Sequence, residues 1–155
     1  MEGAGCMASE SVRNSIECWI IRRGMGEEDA VLLLHVGEEP DTPGGFWQPI
    51  TGGIKEGEAP HEACVREIYE ETSLSVRAED LHQVAGHWEF QLPHQVIRKD
   101  LYWVEVSEAA IRIAPEEHDD WKWVPVSAVE PELHWESNRR TWAAVLSCLR
   151  SQAGR

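Results

Sequence analysis

Three glutamates, Glu67, Glu70 and Glu71, stand at i, i+3 and i+4 in a stretch that opens on Gly52-Gly53 and runs to Leu74, GGIKEGEAPHEACVREIYEETSL. A helix puts such positions on one face. Like charges so placed repel by roughly 0.2–0.5 kcal/mol per pair. They also fall near the C-terminal end of the predicted helix, where the helix dipole disfavours anions. A surface helix gains nothing from this arrangement. A hard divalent cation makes it favourable, because Mg²⁺ takes carboxylate oxygens and shares its other positions with phosphate and water. The two glycines before the helix let backbone approach closely.

The 155 residues are long enough for one domain with its own core. Residues 1–11 are expected to form a flexible tail and residues 12–155 a single domain. A net charge of −14 argues against broad nucleic-acid binding, which needs a basic surface, and against anionic membranes. It leaves room for a phosphate ligand, since a bound cation inverts the local field. Cys6, Cys18, Cys64 and Cys148 form no C-x-x-C pair and read as reduced thiols. The N-terminal segment lacks the basic start and apolar run of a signal peptide, and no stretch is long enough to span a membrane. A cytoplasmic location is expected.

Hydrophobic patterning predicts strands over Ser15 to Arg22, Ala30 to Val36 and Trp121 to Val126, with a hairpin from Val84 to Leu92 and Val96 to Val106. Phe46 to Thr51 reads as a short extended segment. A helix is predicted from about Ala59 to Thr72, with Pro60 in its first turn, where a missing N–H is no loss. A second helix is expected to be capped by Ser137-Asn138 and to bury Trp142, Val145, Leu146 and Leu149. This order suggests an α/β fold with a mixed β-sheet. Among the eight tryptophans, Trp19, Trp103, Trp123 and Trp142 are expected in the core, and Trp88 and Trp135, with Phe90, are candidates for base stacking.

Gly52, Glu58, Arg66-Glu67-Ile68-Tyr69-Glu70-Glu71 and Ser73-Leu74 resemble the Nudix box, G-x5-E-x7-R-E-U-x-E-E-x-G-U, at every defining position but one. Ser73 stands where glycine is usual. Glycine there supplies a left-handed cap, so serine implies either strain or a differently shaped exit turn. The resemblance implies an α/β/α sandwich and hydrolysis of a diphosphate bond in a nucleoside diphosphate linked to another group. It implies Glu67, Glu70 and Glu71 as ligands of Mg²⁺, with Mn²⁺ as an alternative. Glu67 and Glu70 are candidate catalytic carboxylates, and Arg66 orients a glutamate through an ion pair. Which glutamate is the general base stays open. The segment PEEHDDWKWV resembles the E-H-x-x-aromatic-x-W element of some Nudix hydrolases, which implies Glu117 as a further metal ligand.

Three pieces point to a branch. FWQPITG, EHDDWKW and Trp135-Glu136-Ser137-Asn138-Arg139 are similar to elements of bacterial dihydroneopterin triphosphate pyrophosphohydrolases, which also act on dATP. The resemblance implies substrate contacts at Thr51, Gly52, Gly53, Phe90 and Trp135. The chain departs from that branch at His35-Val36-Gly37, where basic residues are usual, and at Trp135, where a small polar residue is usual. The expected reaction releases pyrophosphate and a monophosphate from a nucleoside triphosphate or pterin triphosphate. A dinucleoside polyphosphate or other nucleoside-diphosphate-X substrate is the alternative, since Phe90 stands sixteen residues after Leu74, where enzymes of that kind favour tyrosine. A non-catalytic nucleotide-binding domain is the rival class. The expected partner is a small-molecule nucleotide or pterin phosphate, with a homodimer as an option and neither nucleic acid nor membrane.

Overall fold

The computed structural model describes residues 11–24, 27–107 and 110–153. The expected tail therefore lies outside the described residues except for Ser11, which opens the first strand. Cys6 also lies outside them.

Among the described residues, seven strands form one sheet: β1 Ser11–Arg22, β2 Ala30–Val36, β3 Phe46–Gln48, β4 Ile50–Gly53, β5 His82–Gln91, β6 Gln95–Val106 and β7 Asp120–Pro125. The main path runs β3-β2-β1-β6-β5, with β4 on β1 and β7 on β2. The β1–β6 pair is parallel and the other pairs are antiparallel, so the sheet is mixed. Helix α1, Pro60–Thr72, lies on one face and α2, Glu136–Ala153, on the other. This is the α/β/α sandwich that the sequence predicts.

Strand alternation decides which side chain meets which helix. Ile16, Cys18 and Ile20 of β1 join Leu32, Leu34, Tyr102 and Val104 beneath Ala63, Cys64 and Ile68 of α1. Trp19 and Ile21 join Val31, Leu33, Leu101, Trp103 and Val124 beneath Trp142 and Val145 of α2. Leu146 and Leu149 pack at the edge of that second cluster. Cys18, Cys64 and Cys148 are free thiols.

Three expectations need correction. β1 begins four residues before Ser15, because the parallel ladder to β6 continues out to Ser11 opposite Gln95; these first residues are exposed, so no hydrophobic pattern marks them. Ser137 and Asn138 do not cap α2, which already begins at Glu136; Asn138 turns inward and is buried. Trp123 is only partly buried, with the Arg22 guanidinium carbon 5.1 Å from its ring centroid.

The exit of α1 settles the question posed by Ser73. Its φ is 66° and its ψ 12°, the left-handed conformation that glycine usually supplies, and its N–H caps Tyr69 O at 2.8 Å. Ser73 Oγ donates to Arg112 O at 3.3 Å, so the hydroxyl ties the strained turn to the loop before β7.

Candidate active site

The box helix and its preceding turn fold around one guanidinium. Arg66 Nε donates to Glu58 Oε2 at 2.7 Å, Nη2 to Glu58 Oε1 and to Gly53 O at 3.0 Å each, and Nη1 to Glu67 Oε2 at 3.0 Å and Glu70 Oε1 at 3.2 Å. A planar fork with five N–H donors suits this task, and a lysine could not copy it. The Arg66 hydrogen bonds, helped by the Lys55 backbone N–H, pull the Glu58 carboxyl down to about 2. Burial is the first cause pushing the Glu67 carboxyl above its ordinary value, with Glu71 and Glu70 adding to it and Arg66 opposing. The Glu58 pair raises Arg66 in turn.

Gly52 lies directly under Glu67. A Cβ at position 52 would stand 2.1 Å from Glu67 Cδ and 2.2 Å from its Oε2, so only glycine leaves the carboxylate its place. The β1–β4 register sets Gly52 opposite Ile16 and Thr51 opposite Glu17, which brings the turn against the centre of the sheet.

Among the described residues, no three His, Cys, Asp or Glu side chains converge closely enough to hold a metal ion as they stand. The donors nevertheless fit one. Glu67 is cradled against Gly52, Glu70 is half exposed, and Glu71 is buried with Oε1 lacking an aligned hydrogen bond. Hard carboxylate oxygens are the donors that Mg²⁺ and Mn²⁺ prefer. Glu117 sits exposed on the turn before β7. It is the next residue, His118, that reaches the helix: buried, with Nδ1 2.9 Å from Glu71 Oε1. That distance is within ion-pair reach, but the pair lacks hydrogen-bond alignment.

Beside the helix a cavity of about 430 Å³ opens, lined by residues that include Thr51, Gly52, Trp135, Arg13, Lys99 and Asn138. Three of the five expected substrate contacts thus share one cavity. Gly53 and Phe90 are not in its lining. Gly53 is next to Arg13, whose Nη2 would stand 3.4 Å from a Cβ there. Phe90 lies below two cations, with Lys99 Nζ and the Arg140 guanidinium carbon each 5.1 Å from its ring centroid.

The model of the NUDIX domain matches residues 13–145. The chain belongs to the Nudix family. An RNA pyrophosphohydrolase of Brucella anthropi is 31% identical over 76% of this chain and 78% of its own. An octanoyltransferase of Myxococcus xanthus is 37% identical over 77% of this chain, which spans only 33% of that protein. The chain covers 55% of several other RNA pyrophosphohydrolases that it matches. The structure of the E. coli dihydroneopterin triphosphate pyrophosphohydrolase aligns at 25% identity with a TM-score of 0.67, covering 85% of this chain and 94% of that one. Nudix membership and relatives named pyrophosphohydrolase indicate a hydrolase acting on pyrophosphate bonds, of a family that generally needs a divalent metal.

Two buried groups of this Nudix domain escape a sequence reading. His118 is one. The other is Glu17, fully buried on the α2 face of β1. Its carboxylate accepts from Lys99 Nζ at 2.5 Å, Trp19 Nε1 at 2.9 Å, Asn138 Nδ2 at 3.3 Å and Thr141 Oγ1. Alternation carries a faint signal for it. Glu17 shares its strand face with Trp19 and Ile21, in a run buried on both sides.

Proposed function

We propose that this Nudix domain, over residues 12–155, hydrolyses a nucleoside triphosphate or pterin triphosphate to pyrophosphate and a monophosphate. The observation that carries this reading is the cavity itself. A slot of about 430 Å³ is in the range for a small-molecule site. It has Trp135 on its wall for a base or pterin ring, and Arg13 and Lys99 for phosphate. Gly52, against which Glu67 packs, forms part of the same wall. The solved relative that acts on dihydroneopterin triphosphate supports the choice.

Glu67, Glu70 and Glu71 would hold Mg²⁺, or Mn²⁺ in its place. Glu117 is the proposed fourth ligand, on the ground that its neighbour His118 touches Glu71. Such an ion, when bound, neutralises phosphate charge and makes its water more acidic. The chain's own residues do the rest. Arg66 fixes the carboxylates of Glu67 and Glu70. Thr51 and the backbone at Gly52-Gly53 receive the phosphates. Glu70, half exposed, accepts the proton of the attacking water. The water oxygen bonds to phosphorus, the bridging P–O bond breaks, and pyrophosphate leaves with the electron pair. Phe90 acts through Lys99, which it backs.

The second reading is removal of pyrophosphate from the 5′ end of RNA, favoured by the name of the 31% identical relative. The net charge of −14 opposes gripping an RNA body. A panel with Mg²⁺ or Mn²⁺ separates the readings. It should contain dihydroneopterin triphosphate, dATP, oxidised dGTP, ADP-ribose, diadenosine polyphosphates and 5′-triphosphorylated RNA, with pyrophosphate and phosphate release resolved. We expect pyrophosphate from the first two and no gain in kcat/KM when an RNA body is attached. Glu71→Gln should remove turnover while the protein stays folded. Full activity in that variant, or binding with no turnover of any substrate, would overturn the reading.

A further inference from the structure

Three strands meet at Ser15. It stands opposite Gly53 in the β1–β4 ladder and opposite Lys99 in the β1–β6 ladder. Pairing on both sides fixes its backbone. Residues directly opposite in a ladder share a face, as do residues i and i+2 along a strand. Ser15 therefore shares its face with Arg13, Glu17 and Lys99. Ser15, Arg13 and Lys99 all line the cavity beside α1.

The Ser15 hydroxyl is left over in this arrangement. The residue is only 6% exposed, and among the described residues its Oγ has no hydrogen-bond partner. Its face neighbours explain why. Arg13 and Lys99 only donate. Gly53 offers no side chain. Glu17, the one acceptor of the set, already takes four donors. A buried hydroxyl without a partner costs the fold stability, so each such group calls for a physical reason.

An acceptor entering from the cavity would supply that partner, and the flanks set its charge. The Arg13 guanidinium leans over Gly53, with Nη2 3.4 Å from where a Cβ would stand. The Lys99 ammonium lies on the β6 side. Glu17 offsets its charge but leaves it N–H groups to give. A hydroxyl between two cations suits an anionic oxygen better than the edge of a ring, which mixes donors with acceptors. We propose that Ser15 is a substrate-binding residue, whose hydroxyl donates to a non-bridging oxygen of the substrate's phosphate chain between Arg13 and Lys99. Serine has one side-chain torsion with three staggered wells, so the hydroxyl can turn to the ligand while the strand stays still. The inference rests on the reading of the cavity as the site of a phosphate-bearing substrate, and adds a contact that no residue of the box supplies.

Ser15→Ala separates a ligand role from a structural one. Removing an unpaired buried hydroxyl takes no bond from the folded protein, so the Tm without ligand should stay at or above that of the wild type. Two probes then locate the contact by calorimetry with Mg²⁺ present. Bismethylene triphosphate is a phosphate chain with no cleavable bridge and no ring. Deoxyadenosine is a ring with no phosphate. We expect Ser15→Ala to bind the triphosphate about 10–100-fold more weakly, the scale of a hydrogen bond to a charged group, and to bind deoxyadenosine as the wild type does. The kcat/KM for dATP should fall by a similar factor.

Unchanged affinity for the triphosphate would overturn the inference. So would a loss confined to deoxyadenosine, which would put the hydroxyl at the ring. A lowered Tm without ligand would mean that the hydroxyl is satisfied inside the protein, and would overturn it too. A wild-type protein that binds neither probe would instead overturn the substrate reading of the cavity, and the Ser15 contact with it.

Discussion

A single methyl group at position 52 would occupy the place of the Glu67 carboxylate. The Cβ of Gly52→Ala would stand 2.1 Å from Glu67 Cδ, and backbone on β4 cannot yield because it is paired to β1. Glu67 must therefore swing away and leave Arg66 Nη1. Overpacking of this kind costs about 1–3 kcal/mol. Thermal melting should register that cost, and metal-dependent kcat/KM should fall by roughly 10–100-fold, the usual scale for a disoriented ligand. Retained kcat/KM would mean that Glu67 needs no fixed position. Ser73 makes the opposite case. Its left-handed backbone costs a non-glycine residue about 1–2 kcal/mol. Ser73→Gly removes that strain and gives up one exposed hydrogen bond to Arg112 O. The net expectation is a Tm raised by about 2–4 °C per kcal/mol recovered, with turnover unchanged. A lowered Tm would mean that the hydroxyl outweighs the strain. The sequence leaves two outcomes open at Ser73, because choosing between them needs the position of Arg112, far along the chain.

For helix α1, the two perturbed carboxyls have opposite signs. Glu58 is held at about 2 by Arg66 and the Lys55 N–H. A depressed carboxyl contributes stability that is present above its unfolded value and is lost as pH falls through the folded value. The Arg66–Glu58 clamp should thus survive well into acid. Glu67 is raised, chiefly by burial. Its ionised form disfavours the fold, so this penalty shrinks as pH falls through the raised value. Cation binding requires that ionised form. The increment in Tm given by Mg²⁺ should therefore vanish on acidification while Glu58 is still ionised, starting above the ordinary carboxylate range. Melting curves with Mg²⁺ and with EDTA, taken from neutral pH downward, would show it. A Mg²⁺ increment that persists down to the Glu58 range would mean Glu67 is not a ligand. The elements themselves were legible, because α1 and the main strands carry strong periodicity and Pro60 marks the helix start. The acidic face of α1 was equally legible. His118 was not: a histidine in an acidic run has no local mark of burial, and its two contacts come from β3 and α1.

On the scale of the whole molecule, the sheet is tied to its second helix through Glu17. Three of its four donors lie far from it in sequence: Lys99 is 82 residues away, Asn138 121 and Thr141 124. No local pattern could pair Glu17 with these three. What the sequence did show was a charged residue inside a strand with apolar residues on both faces. Burying a carboxylate is costly unless it is paired and hydrogen-bonded, and here β6 and α2 both supply donors. Lys99 and Asn138 also line the cavity, so the tie that holds α2 on the sheet also shapes the substrate wall. Glu17→Gln keeps the shape and removes the charge. The Lys99 ammonium, 12% exposed, would then lack its counterion. Removing one member of a buried pair costs about 3–5 kcal/mol, which corresponds to a Tm lower by roughly 6–20 °C. Glu17→Gln combined with Lys99→Met removes the stranded charge and should regain part of this loss. The regain should stay incomplete, because Trp19, Asn138 and Thr141 still face an amide that cannot accept from all of them. Full recovery in the double variant would reduce Glu17 to a counterion for Lys99. A Tm that does not move in the single variant would mean that the sheet and α2 hold together through apolar packing alone.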